Sequence, residues 1–193
     1  MGTRDRILDA AAGLMRERGV ARATTKEIAK AAGLSEAALY KHFSDKTELM
    51  IHVLHERMPG PARVDLRPGT GSVAETTTAI ARALMDFYLD ALPMFGSVLG
   101  DPQLMAVQRE SLRQYGAGPE QPLRRFADYL RAERDLGRIA AEADPEAAAA
   151  LLTGACFQQA FLRYFSEGSA AGPIPDATVT ALTATLLRAL GAA

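Results

Sequence analysis

A chain of 193 residues has room for one or two domains and a packed core. Hydrophobic residues make up 48% and charged residues 23%, ordinary proportions for a soluble globular protein, and no stretch approaches the ~18 consecutive apolar residues a membrane span needs. Cys156 is the single cysteine, which rules out an intrachain disulfide, and the opening MGTRDRILDAA has no apolar signal-peptide core, so the expected compartment is the cytoplasm.

The net charge of −1 is unevenly divided. Residues 1–58 hold ten Lys/Arg against eight Asp/Glu, and the remainder holds twelve against fifteen. All four lysines and all three histidines precede residue 58. A mildly basic head on a mildly acidic body fits a DNA-binding module carried by a domain of another kind.

Ala and Leu dominate and alternating β-branched runs are absent, which predicts an all-α fold of about nine helices. The first helix is expected over Thr3 to Arg18, with Ile7, Leu8, Ala11, Leu14 and Met15 as its apolar stripe and Gly19 as its stop. Thr24 and Glu27 form a T-x-x-E capping box that opens a second helix ending at Gly33. Ser35 caps a short third helix to about His42, Phe43 and Ser44 turn, and Asp45 opens a fourth helix to about Met58.

The segment PGPARVDLRPGTGS, residues 59–72, holds three prolines and three glycines and cannot continue a helix. It reads as a linker between a head, 1–58, and a helical body, 73–193. In the body, helices are expected over about 73–91, 93–115 with a kink at Asp101-Pro102, 119–136, 145–167 and 176–190, the last two opened by Asp144-Pro145 and Asp176.

The informative string is TTKEIAKAAGLSEAALYKHFSDKTELM, residues 24–50. Two short helices joined by a glycine-containing turn have the dimensions of a helix-turn-helix, here over 24–43. Ile28, Ala29, Ala32, Leu34 and Leu39 are spaced to pack the pair together and against the first helix. Ser35, Glu36, Ala37, Ala38, Tyr40 and Lys41 are left facing outward, on a helix that fits the major groove. Around it lie groups suited to phosphate oxygens: Thr25 and Lys26 at a helix N-terminus, Tyr40 and His42 beyond the recognition helix, and Lys46 in the first turn of the fourth helix. Two roles are open to Glu36, accepting from a cytosine amino group or standing as a solvated carboxylate at a helix start. Ala37 and Ala38 can offer little beyond contact with a thymine methyl.

Over Ile7 to Leu49 the sequence resembles the TetR family of bacterial transcriptional regulators. The likeness rests on ILDAA…L in the first helix, EIA and AAG in the second, and above all LYKHFSDKTEL. The resemblance implies an N-terminal three-helix helix-turn-helix domain followed by a helical ligand-binding and dimerisation bundle. It also implies base-edge contacts from Glu36, Ala37 and Ala38, and phosphate contacts from Thr25, Lys26, Tyr40, Lys41, His42 and Lys46.

A single helix-turn-helix makes few contacts, and this class ordinarily doubles them in a two-fold dimer. The expected seam takes Leu151, Leu152, Ala155, Gln159 and Leu162 from the helix over 145–167, and Val179, Leu182, Leu186 and Leu190 from the last helix. The alternative is that both stripes face the domain's own core. Phe87, Tyr88, Phe95, Met105, Tyr115, Phe126, Tyr129, Phe157, Phe161 and Tyr164 are core residues by default, yet loose aromatic clusters also line small-molecule pockets. With the resemblance, they imply a small, mainly apolar or aromatic ligand.

No metal or cofactor is expected. His52, His55 and Glu56 share a face of the fourth helix, but three ligands on one turn without a remote fourth seldom make a site, and Cys156 among Ala and Phe reads as inert packing. The body has no histidine, paired carboxylates or phosphate-binding glycine loop, so an enzyme is not expected. The function expected is a homodimeric repressor released from a palindromic DNA operator by its ligand. An activator or an architectural DNA binder would share the same head.

Overall fold

The computed structural model describes every residue except 1, 21, 58–60, 62–63, 115–117, 119 and 193. Among the described residues there are nine α-helices and no strand. They are α1 (Thr3–Arg18), α2 (Thr25–Ala31), α3 (Glu36–Leu39), α4 (Lys46–Glu56), α5 (Val73–Leu99), α6 (Pro102–Gln114), α7 (Gln121–Asp135), α8 (Pro145–Glu167) and α9 (Asp176–Ala189).

Side-chain caps set most of the starts. Thr24 Oγ1 accepts from the Glu27 amide at 3.2 Å while the Glu27 carboxylate accepts from the Thr24 amide, so the reciprocal box read from the sequence forms. Asp45 accepts from the amide of Glu48 at 2.8 Å, and Asp144 from that of Ala147 at 3.0 Å. Ser72 and Glu75 make a second reciprocal box at the start of α5. Asp176 does not cap α9; Pro175 holds the cap position, and the Asp176 carboxylate pairs with Arg82.

The helices over 73–91 and 93–115 have other limits than expected. α5 runs unbroken through Pro93 to Leu99. Proline removes one backbone hydrogen bond but does not end a helix whose packed faces continue on both sides. The break falls at Gly100 and Asp101, where Asp101 Oδ1 takes the amides of Gln103 at 2.9 Å and Leu104 at 3.1 Å and so starts α6 afresh.

The chain packs as two compact units, Met1–Pro59 with Asp90–Ala117, and Gly60–Leu89 with Gly118–Ala193. In the first, α1 packs on α2 and α4, α2 on α3, and α6 on α4. Ile7, Leu8 and Met15 of α1 are fully buried with Ile28, Leu39, Leu49 and Met50. Full burial of a Leu, Ile or Met side chain stabilises by about 1.5–3 kcal/mol, so this stripe is what fixes the short helices in place. Leu14 and Leu34 remain half-exposed.

Ion pairs tie α1 to α4. Arg4 donates to both oxygens of Glu56, at 2.8 and 2.6 Å, and lies 5.4 Å from the centre of the Phe43 ring. Arg57 reaches Asp5 at 2.6 Å and Asp9 at 2.7 Å.

In the second unit α7 packs on α8 and α8 on α9 around Phe126, Leu130, Leu152, Cys156 and Val179. Glu133 is fully buried on α7; it accepts from the Gly69 amide at 3.0 Å and pairs with Arg138 at 3.3 Å. Arg138 in turn donates to the Gly71 carbonyl, so a buried carboxylate and its arginine fasten the loop over 69–71.

The Arg4 guanidinium, with further help from His52, holds the Glu56 carboxyl at about 2, below its ordinary 4.5. A depressed carboxyl stabilises fully above its unfolded pKa and loses that contribution as pH falls toward the folded value. Urea melts between pH 4.5 and 2 should therefore show a shallower pH dependence in Glu56→Gln than in the parent; equal slopes would remove this pair from the acid response.

Candidate nucleic-acid interface

The reading helix is very short. Ser35 caps α3 by accepting from the Ala38 amide at 3.2 Å, and the α-helix ends at Leu39 rather than continuing to His42. Residues 40–42 follow as a turn, with the His42 and Phe43 amides both bonded to the Leu39 carbonyl. Leu39 and Phe43 are buried, which turns the opposite side outward.

On that outer side Ser35, Ala37, Tyr40, Lys41 and His42 are exposed, and Lys26 is exposed at the start of α2. Glu36, Ala38, Thr25 and Lys46 are half-buried. All ten sequence-predicted DNA contacts thus belong to the first unit, gathered on and around α3.

Two of them face each other. Thr25 Oγ1 donates to Glu36 Oε1 at 2.6 Å and lies 3.3 Å from the Tyr40 hydroxyl. Glu36 is therefore not a bare solvated carboxylate, and the Thr25 hydroxyl proton is directed to Glu36 rather than outward. The contact spans eleven residues, from the first turn of α2 to the first turn of α3, and no spacing rule announces it. A second unforeseen contact fixes the turn itself. Arg6 of α1 donates to the Ala32 carbonyl at the end of α2, where a cation complements the helix dipole. Gly33 follows with φ of 69°, a left-handed conformation that favours glycine, and a Cβ there would meet the Arg6 guanidinium at 2.9 Å.

Lys46 opens α4 against the helix dipole. Burial holds its ammonium below the usual lysine range, with the Glu27 carboxylate opposing the shift.

The expected ligand and dimer residues divide differently. Phe95 and Met105 belong to the first unit, Tyr115 lies outside the described residues, and Phe87, Tyr88, Phe126, Tyr129, Phe157, Phe161 and Tyr164 belong to the second.

 Phe126 and Tyr129 are buried, their rings stacked 6.1 Å apart. Tyr129 also borders a hollow of about 400 Å³ with Val64, Leu66 and Arg125. Tyr88 meets Phe157 edge-on at 5.4 Å, and burial pushes its hydroxyl up to about 12. Phe157 and Phe161 are 41% and 43% exposed, so they border the surface rather than enclose a pocket.

The seam read from the sequence mixes two faces. Leu152, Val179, Leu186 and Leu190 are buried in the chain's own core and have no surface left for a second copy. Ala155, Gln159 and Leu182 are half-buried, whereas Leu151 and Leu162 are 70% and 50% exposed. The outward side of α8 carries Leu151, Phe157, Phe161, Leu162 and Phe165, five large apolar side chains that are 41–79% exposed.

Comparison with known proteins agrees with this layout. The family model described as bacterial regulatory proteins, tetR family, matches residues 7–53, and that of the AefR-like transcriptional repressor C-terminal domain matches residues 100–189. The chain belongs to the TetR family. Among TetR-family relatives, the HTH-type transcriptional regulator SrpR of Pseudomonas putida is 37% identical over 84 residues, a match covering 44% of this chain and 38% of SrpR. Two solved structures share the fold over nearly the whole chain. A TetR-family regulator from Mesorhizobium loti aligns with a TM-score of 0.74 at 21% identity, covering 98% of this chain and 96% of its own. SmeT of Stenotrophomonas maltophilia in complex with triclosan aligns with a TM-score of 0.65 at 22% identity, covering 98% and 91%.

Because Thr25 and Glu36 join two short helices, their hydrogen bond should be measurable as a coupling. A double-mutant cycle with Thr25→Val and Glu36→Ala, read by urea unfolding, should give about 1 kcal/mol. Additive effects would mean that the contact contributes nothing to holding α3.

Proposed function

We propose that this chain is a DNA-binding transcriptional repressor that acts as a homodimer and leaves a palindromic operator when a small, mainly apolar or aromatic molecule binds its helical body. The observation that carries the reading is the outward side of the helix-turn-helix, where Lys26, Tyr40, Lys41 and His42 stand exposed around a single helical turn. These are phosphate-binding groups in the main, and phosphate contacts fix register and supply salt-dependent affinity. Thr25 and Lys46 contribute from the starts of α2 and α4. Base reading falls to Ser35, Glu36, Ala37 and Ala38.

Repression is supported by the family description matched in the C-terminal half and by SmeT, the repressor of a multidrug efflux pump. Release by a ligand is supported by the triclosan complex of SmeT. α6 packs against α4, which gives a displacement of α6 a direct route to the head. Coupling of this kind is typically about 1–3 kcal/mol, provided the ligand prefers one state over the other.

The dimer is supported by the outward face of α8. Two copies related by a two-fold axis would cover each other's apolar side chains and double the number of DNA contacts. α9 offers Ala177, Thr180 and Ala181 as small exposed neighbours for close helix approach.

Duplexes selected from a random pool by the full-length protein should share a palindrome. Lys26→Ala should weaken binding to selected and unselected duplexes alike and lower the salt slope by about one. Loss of affinity for the palindrome alone would assign Lys26 to base reading, and failure to select any shared site would overturn the operator reading. A promoter-reporter assay fixes the sign: expression should fall when the protein is present.

Replacing Leu151 and Phe165 together with aspartate should shift sedimentation from dimer to monomer. Affinity for the palindrome should fall on the order of 100-fold, because the second head no longer binds as part of one molecule. An unchanged dimer would move the seam elsewhere.

A further inference from the structure

Glu36 is the one polar side chain within α3 itself. Leu39 is buried, Ala37 and Ala38 carry no polar side-chain atom, and the Ser35 hydroxyl caps the helix by accepting from the Ala38 amide. Only one oxygen of the half-buried Glu36 is engaged. Oε1 accepts the Thr25 hydroxyl at 2.6 Å, while Oε2 takes no hydrogen bond or ion pair among the described residues.

The direction of the hydrogen bonds follows from counting protons. A hydroxyl has one, and that of Thr25 goes to the carboxylate. In the 3.3 Å contact with Tyr40 the tyrosine therefore donates and Thr25 accepts. The shorter bond is the one at Glu36, so Tyr40, which is 47% exposed, can turn its proton to a phosphate and leave that bond intact.

A glutamate has three rotatable side-chain bonds, and immobilising such a side chain at the moment of binding typically weakens binding by about two- to tenfold. Thr25 meets that cost before DNA arrives. What it holds is a carboxylate, an acceptor with no donor. In the major groove guanine offers only the acceptors N7 and O6, and thymine offers O4 and a methyl group. Adenine has an amino group, but it stands between two acceptors, its own N7 and the O4 of the paired thymine. The cytosine amino group has guanine O6 on one side and only C5–H on the other, so it receives a carboxylate with the least repulsion.

We propose that Thr25 is a positioning residue that aims Glu36 at a cytosine, so that each half-site of the operator carries a C·G pair recognised through the cytosine amino group. The proposal rests on the DNA-binding reading above and adds to it the base that is read and the residue that sets the reader.

The parent protein is tested first, at full length and on the palindrome it selects. Each position of one half-site is varied through all four base pairs, and affinities are read by fluorescence anisotropy. At one position C·G should be preferred by about tenfold. N4-methylcytosine keeps its pairing but replaces the groove-facing N–H with a methyl group, and at that position it should weaken binding by about the same factor. Glu36→Ala should flatten the preference there and nowhere else. Thr25→Val and the smaller Thr25→Ala should reduce it to about threefold, and Thr25→Ser, which keeps the hydroxyl, should restore it. A merely structural role for Thr25 would weaken binding to every duplex by one factor and leave the ratio between base pairs unchanged.

A preference that does not respond to Glu36→Ala at any position, or full tolerance of N4-methylcytosine by the parent, would overturn the cytosine reading. Flattening by Glu36→Ala with the full preference intact in both Thr25→Val and Thr25→Ala would overturn the positioning role alone. Failure of the parent to select any shared site would overturn the operator reading instead.

Discussion

A helix of four residues has no stability of its own, because nucleating a turn fixes several dihedral angles for very few hydrogen bonds. Everything α3 presents outward therefore depends on what is buried beneath it. Leu39 and Phe43 are buried, α3 packs on α2, and α2, with Ile28 and Ala29 buried, packs in turn on α1. Polar contacts then fix the angle between the two short helices: Thr25 to Glu36 at one end, Arg6 to the Ala32 carbonyl at the other. The outward face thus depends on α1 only at one remove, through α2 and the Arg6 contact, and α1 contributes none of the proposed DNA contacts.

Charge in the head follows the same division. Acidic groups sit where helix N-termini favour them, as Glu27 does in α2 and Glu48 in α4, and Arg4 and Arg57 are paired with carboxylates on neighbouring elements. Lys46 breaks the rule, standing in the first turn of α4 where a cation is disfavoured by a few tenths of a kcal/mol. Its partial burial adds to that disadvantage. The nearby Glu27 carboxylate offsets part of that cost.

Local signals made most of the fold legible. Caps, glycine stops and proline-rich breaks are chemistry within three or four residues, and Gly19, Thr24, Asp45 and Asp144 all act where that chemistry predicts. Pro93 does not divide 73–91 from 93–115 because helix breaking is a propensity that packing can override, whereas the Asp101 cap, where the sequence predicts only a kink, does divide α5 from α6. The faces of α8 were harder still. Its apolar residues cover nearly the whole circumference, so periodicity cannot say which stripe meets α7 and α9 and which stays outside. Leu152 went in and Leu151 stayed out, a difference of one residue that only the packing of neighbours decides. The Thr25–Glu36 contact was out of reach for the same reason: it depends on the crossing of two helices, not on the spacing within either.

The outward face of α8 and the lean reading helix bear on one another. Two alanines and a carboxylate already held by Thr25 can discriminate among bases only modestly, so a single head would bind many sequences with similar weak affinity. In the proposed dimer, covering the apolar face of α8 with a second copy would join two such heads in one molecule. Specificity then comes from demanding two half-sites at that spacing, and affinity from the added phosphate contacts of both heads. An assembly built this way is sensitive to small displacements. A shift that misaligns one head would forfeit the advantage of linkage, and a coupling of about 1–3 kcal/mol already changes affinity by roughly 5- to 150-fold. In the proposed dimer, weak reading by each head would be compatible with tight control, because the regulated quantity would be the match between two heads and not the strength of either.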